Sequence, residues 1–487
     1  MTDTVLPAPA VLTWSGDPVR ARRNRVAFAG NLVAILGAVM ALYAVAEDER
    51  VLAMPMLALA ELAFLHLTVL WARDGQLPLF EVGTLWVLAT CVYGIFAMLG
   101  FILMHGVWDQ QSDWRLQQYP FVGSRLAKLG WECFVYAASF VAIYLPIRGR
   151  AVITREFVPP RATTVFAVLT LYAIVYGTRL ALNLMYGFDA DSVSRMPYMV
   201  QQLSHNVVNA VIVVEQAVLT ILISRWRSRT ARILVVVWLV QAIASAAVRL
   251  DSRTEIVLML LTAGILYHRF VKPISLFVFG AATTVLLAAF LAAGALRPTG
   301  PARTDNSVTR TLTRTNEFQA IFSTAFDLEQ KRDAGLLPPV PWQIYVVDAY
   351  LPVPSQFLPF DKIEPSTWYA DSIGQGESKV GFMFGVLAQA AVGFGWLELI
   401  FRGLVLAVVF AALHRWYAHR STSFWITQFY LFVGVWTYYT FRATSFWFVY
   451  FILYQFLPVM IVAWLLEVAL DWLLSPLPAQ VGNGANP

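Results

Sequence analysis

Apolar runs of about twenty residues, separated by short polar links, recur along most of the chain. Wound as a helix at ~1.5 Å per residue, each run matches the ~30 Å hydrocarbon core of a bilayer. Spans are expected at 26–46, 51–72, 80–104, 131–147, 162–186, 205–224, 231–248, 254–270 and 273–296. After a long polar interruption they resume at 396–414, 424–441 and 446–472. The expected fold class is therefore all-α, a polytopic transmembrane helical bundle of about 12 spans with one large periplasmic or extracellular loop. The boundaries follow from the pattern: a basic tail 1–25, nine spans over 26–296, a loop domain 297–379, and a short run 380–394. The last three spans and a tail, 473–487, complete the chain. No 20–50-residue repeat is visible, which excludes a solenoid.

The run Val380–Phe394 is shorter than the ~17–25 residues a crossing needs, and it contains Gly381, Gly385, Gln389 and Gly393. A re-entrant or partial helix surrounded by protein suits it, with a thirteenth span as the alternative. Loop charge gives an orientation. With the N-terminus cytoplasmic, the inward short links hold 17 basic residues and the outward ones 8. Positive charge favours the cytoplasmic side, so the long interruption is expected outside. If 380–394 crossed fully, Arg415 and Arg420 would move outside and reverse the asymmetry downstream.

Composition agrees with the pattern. The 487 residues are 59% hydrophobic and only 13% charged, about half the charge of a soluble protein, and the mean hydropathy is +0.63. Cys91 and Cys133 lie in or beside apolar runs and read as small core residues. There is no G-x-x-x-x-G-K-[ST] to cradle a nucleotide. The six histidines lack metal-ligand spacing, so no metal and no cofactor is expected, and nothing points to nucleic acid. Asp189-Ala190-Asp191 follows Gly187 and reads as a turn or cap, and Glu47-Asp48-Glu49 is treated alike.

The interruption carries the candidate chemistry. Asp305 and Asn306 are plausible N-caps for a helix running to about Lys331. Arg303, Ser307, Arg310, Arg314 and Glu317 recur at helical spacing and share a face, while Val308, Leu312, Phe322 and Phe326 fall elsewhere. From 297 to 314 bases outnumber acids four to one; from 315 to 379 acids outnumber bases nine to four. One reading pairs the arginines with those acids or with lipid headgroups. The other is a phosphate clamp, since guanidinium forks bind phosphate oxygens bidentately and stay charged. Arg249 and Arg253 flank a short link and share a face if the backbone stays helical; Arg442 sits at the tip between the last two spans. The block 338–365 holds seven prolines, with Trp342, Tyr345, Tyr350, Phe357 and Phe360 among them. Such aromatics suit either sugar stacking or a membrane interface.

These residues resemble the Wzy-type O-antigen polymerase family, oligosaccharide repeat-unit polymerases of the C-type membrane glycosyltransferases. The resemblance, over roughly 230–460, rests on the layout and on short motifs. These are Ser252-Arg253-Thr254, Leu351-Pro352-Val353-Pro354-Ser355, Pro359-Phe360-Asp361-Lys362, Gly374-Gln375-Gly376-Glu377-Ser378, Gly393-Phe394-Gly395-Trp396 and Arg442-Ala443-Thr444-Ser445. Gln389-Ala390-Ala391 departs from it, where such chains often carry an acid and a tyrosine. The resemblance implies an inverting, metal-independent enzyme of the bacterial inner membrane that joins repeat units carried on undecaprenyl diphosphate. Its partners would be that lipid-linked oligosaccharide, membrane lipid and a chain-length regulator protein.

On this reading Arg253, Arg314 and Glu377 carry catalysis, and Arg249, Arg303, Arg310, Lys379 and Arg442 bind substrate. Arginines would stabilise the departing diphosphate, and Glu377, or else Asp371, would take the acceptor proton. Three other readings stay open: an O-antigen ligase, a polyprenyl-monophosphate-dependent transferase using Glu47, Asp48 and Asp189, and a transporter or flippase lined by Arg179 and Arg402.

Overall fold

The computed structural model describes residues 47–74, 77–105, 108, 113–149, 153, 157–187, 196–249, 253–275, 278–282, 317–374 and 383–474. Among them every regular element is helical. The long helices before the interruption are α1 (Glu47–Asp74), α2 (Val82–Met104), α3 (Gly123–Arg148), α4 (Ala162–Tyr186), α5 (Tyr198–Ser224), α6 (Arg229–Arg249) and α7 (Arg253–Phe270), with a single turn at Trp114–Gln117 before α3. Then follow α8 (Glu317–Asp333), α9 (Val386–Val392), α10 (Trp396–Ala418), α11 (Phe424–Trp436) and α12 (Trp447–Leu474), the last containing a π turn at Ile452–Phe456. Seven of them, α1 to α5, α10 and α12, are long and apolar enough to cross a membrane. The chain is thus a membrane-type helical bundle. The expected spans 26–46 and, for the most part, 273–296 lie outside the described residues.

Helices α1, α2 and α3 pack on one another, and α10 lies along α3 in the most extensive helix pair. Glycine permits the close approach: a Cβ on Gly403 would come within 2.7 Å of the Tyr136 carbonyl oxygen and 3.3 Å of the Phe140 nitrogen. Backbone cannot step aside as a side-chain tip can. Gly403→Val should therefore cost about 1–3 kcal/mol by overpacking, read as a lower unfolding temperature of the detergent-solubilised protein.

Helix α8 differs from the expected loop domain. It is wedged against α2, α3 and α9, with Phe318, Ile321, Phe322, Ala325, Phe326 and Leu328 all buried. Phe318 packs on Tyr93 and Phe96, and Phe322 on Phe101 and Phe441. Its polar residues Gln319, Thr324, Asp327 and Glu329 are buried too. The polar count of the interruption conceals this, because partners from 113–128 reach Thr324, Asp327 and Glu329, and Gln319 donates to Met104. Helix α3 likewise starts at Gly123 and not at 131, since its first turns carry Arg125 and Lys128 to α8.

Two local devices shape the C-terminal third. Helix α9 has seven residues, all buried, about 10 Å of rise, too short to cross. The Gly393-Phe394-Gly395 turn then reverses into α10. Gly395 takes φ 59, which a side chain rarely tolerates. Glu398 reaches back to accept the Phe394 N–H at 3.1 Å, and a Cβ on Gly393 would collide with that carboxylate. The expected span 424–441 is broken: α11 ends at Trp436, a single turn follows at Tyr439–Arg442, and the chain bends into α12. Thr440, Phe441, Thr444 and Ser445 are buried. The Trp86 indole donates to Thr440 Oγ1 at 2.6 Å, and Tyr136 Oη meets Ser445 Oγ at 3.3 Å. This segment is an internal break and not an exposed tip.

Candidate functional site

Buried charge gathers at both ends of the bundle and at the break. At one end Asp327, fully buried on α8, is saturated. Its Oδ1 accepts from Gln118 Nε2 at 2.9 Å and Tyr119 Oη at 3.0 Å. Its Oδ2 accepts from Tyr369 Oη at 2.7 Å and Lys331 Nζ at 2.8 Å. Burial and the Asp327 charge push both phenols above their ordinary range, so they remain donors. Arg115 grips Asp113 through two nitrogens, at 2.8 and 2.6 Å, and donates to Thr324 Oγ1 at 2.7 Å. Burial opposes its charge, but the Asp113 contact outweighs this and raises its pKa. Lys128 bonds Glu329 at 2.6 Å and lies 3.7 Å from Glu132. Every acceptor of Asp327 is spent on the fold, which makes this cluster a clasp for α8.

At the opposite end Arg148 bridges Asp74 and Glu81, all three almost fully buried. Tyr144 donates to Glu81, and His414 Nε2 lies 3.8 Å from it. Burial would raise the Glu81 pKa, but His414, Arg148 and Tyr144 together hold it below the ordinary range. Tyr430 Oη accepts the Val82 N–H at 3.0 Å and meets His414 Nδ1 at 2.7 Å. His268 accepts the Ile274 N–H at Nδ1, so its Nε2 donates to the Leu77 carbonyl at 3.0 Å and the ring is neutral. Asp74, Glu81, Arg148, His268, Arg269 and His414 line a cavity of about 40 Å³, room for a few waters.

The third cluster ties the break to its neighbours. Arg402 pairs with Asp348 and with Glu398, the latter at 2.8 Å. Asp348 Oδ1 also accepts the Phe446 N–H at 3.0 Å. Arg402 is therefore a crosslink between α10, the 342–350 turns and the break.

Of the expected site residues, Arg303, Arg310, Arg314, Glu377 and Lys379 lie outside the described residues. Arg249 closes α6 and Arg253 opens α7, two helices packed together. Since α7 runs to His268 and Arg269 at the Glu81 end, its start lies toward the Asp327 end. Arg442 is half-buried, its guanidinium 5.3 Å from the Tyr439 ring centroid. Asp371 is exposed at the end of a short helix, Pro365–Ser372. Glu47, Asp48 and Glu49 are the first described residues of α1, and Asp189 lies outside the described residues.

One point draws several of these elements together. A Cβ on Gly385 would lie 2.6 Å from Ile321 Cγ2, 2.7 Å from the Phe441 carbonyl and 3.4 Å from that of Arg442. Ile321 is in the first turns of α8, just after the 303–314 arginines; Gly385 closely follows Glu377 and Lys379. The described flanks of both segments thus meet at Arg442. Comparison with protein-family models, characterised proteins and solved structures finds no match to this chain.

Sequence reasoning missed the Asp327 clasp and the Arg148 bridge. Arg115, Arg125, Lys128 and Arg148 entered it only as loop charges. The acids that neutralise Arg125 and Lys128 lie some 200 positions away, so no local spacing announces them.

Proposed function

We propose that the chain is a membrane glycosyltransferase that polymerises lipid-diphosphate-linked oligosaccharide repeat units of a surface polysaccharide. The acceptor hydroxyl attacks the anomeric carbon as its bond to the diphosphate breaks, and configuration inverts. Arg253 and Arg314, helped by Arg249, Arg303, Arg310, Lys379 and Arg442, neutralise the leaving diphosphate. Glu377 takes the acceptor proton, with Asp371 as the alternative base. The topology that accompanies this reading is about 12 spans in the bacterial inner membrane, N-terminus cytoplasmic, the Asp327 end outside. The excess of basic residues in the opposite links supports it.

The observation that carries the reading is the meeting of Ile321, Gly385 and Arg442, which brings the flanks of both candidate segments beside a third candidate arginine. Purified full-length chain, given one defined lipid-diphosphate oligosaccharide, should yield a ladder of longer products. Arg442→Ala should slow that ladder about 10²–10³-fold, the loss typical of one donor to a developing anion, with the unfolding temperature kept. Arg253→Ala, Arg310→Ala and Arg314→Ala should each abolish it. Transfer only to a lipid A-core acceptor would mark a ligase; movement of lipid across the bilayer without elongation would mark a flippase.

A further inference from the structure

Residues 336–374 make a cap whose underside is firmly held. Val347, Tyr350 and Leu351 pack with Leu358 and Phe360 against Trp447 and Tyr450 of α12. Tyr350 Oη donates to the Ile363 carbonyl at 2.7 Å, and Lys362 Nζ to the Leu351 carbonyl at 2.6 Å. Burial lowers the Lys362 pKa. Gln389 of α9 donates to the Ile344 carbonyl at 3.3 Å, Asp348 takes Arg402, and Tyr454 donates to the Pro352 carbonyl at 2.9 Å. Yet the same cap exposes large apolar groups: Leu336 is 72% exposed and Phe357 73%, with Trp342 and Tyr345 also exposed.

Two observations say what covers them. Leu397, 73% exposed, Phe401 and Val408 lie on the exposed face of α10, and Phe394, 77% exposed, sits in the turn just before it. That helix is long and apolar enough to cross a membrane, so its exposed face meets lipid. The Gln389 and Arg402 bonds seat the 342–350 turns against the start of α10, so the apolar surface continues from that face onto the cap. Charge also divides the cap: its exposed acids, Asp361, Glu364 and Asp371, all follow Phe357, while the exposed polar residues beside Phe357, Ser355 and Gln356, are uncharged. Trp, Tyr and Phe are the side chains that settle at the headgroup boundary, where one part of a ring is dry and the other wet.

We infer that the 336–357 portion of the cap is an interfacial element, with Leu336, Trp342 and Phe357 seated in the acyl–headgroup boundary of the bilayer. The occupant is the membrane surface itself, and the inference stands whether or not the chain is a polymerase. Because the element is already folded and crosslinked, immersion costs it little ordering entropy. It would hold the Asp327 end at the depth of lipid phosphates.

Labelling of the full chain in nanodiscs tests this. Cys91 and Cys133 are buried, so single additions Leu336→Cys, Phe357→Cys, Thr367→Cys and Asp371→Cys can each carry an environment-sensitive dye. Parent chain without added cysteine serves as the background. Dyes at 336 and 357 should emit blue-shifted light and be quenched several-fold more by lipid-borne nitroxide than dyes at 367 and 371. Water-like emission at both 336 and 357 would overturn the inference. So would blue-shifted emission that lipid-borne nitroxide fails to quench, which would mean that protein, such as a second copy, covers the face. Elution of each variant at the parent volume guards against misfolding at one position.

Discussion

Arg148→Ala is expected to destabilise the folded chain by about 3–5 kcal/mol, the range for removing one partner of a buried ion pair. The arithmetic is lopsided because Arg148 serves two carboxylates. Asp74 and Glu81 are both almost fully buried, and without the guanidinium they face each other, with Tyr144 and His414 still beside Glu81. Neutralising both acids in the same chain, Asp74→Asn with Glu81→Gln, should recover much of the loss. Packed neutral groups can replace a buried ion cluster at little cost, whereas a stranded charge cannot relax. Thermal unfolding in one detergent across single, double and triple variants measures this. A triple variant no better than Arg148→Ala alone would show that the arginine acts by filling space.

Arg402→Ala should be comparably severe but differently placed. It strands Asp348 and Glu398, again two largely buried carboxylates, and it frees Asp348 from the geometry in which it holds the Phe446 N–H. The cost is again about 3–5 kcal/mol. Here the loss should show first as local opening, with new protease cleavage within 336–374 below the global unfolding temperature. Local units open ahead of the whole when their crosslinks go. Arg402→Lys should rescue poorly, because an ammonium cannot serve two carboxylates as a planar fork does. Cleavage confined to the links of the Glu81 end would contradict the assignment.

The apolar runs made the membrane-type helices legible, since a period of 3.6 and a length near twenty leave few alternatives. They misjudged helices whose interiors are polar. In α8, Thr324, Asp327 and Glu329 look solvent-facing until Arg115, Gln118 and Lys128 are brought in from α3 and the loop before it. The break after Trp436 was invisible for the opposite reason: Phe441 and Phe446 continue an apolar run that the Thr440–Trp86 and Ser445–Tyr136 bonds interrupt. Candidate arginines could be named from charge and spacing, but the approach of Ile321 to the Arg442 backbone runs through Gly385, whose only sequence trait is the lack of a side chain.

The two charged clasps also set a length. Helix α2 separates the Glu81 cluster from the Asp327 cluster, and its 23 residues rise about 34 Å. Helices bolted together at both ends cannot slide past one another to suit a thinner or thicker bilayer. The bundle answers hydrophobic mismatch by tilting as a block or by deforming the lipid around it. Acyl-chain length should therefore act on α3 and the helices clasped to it as one body.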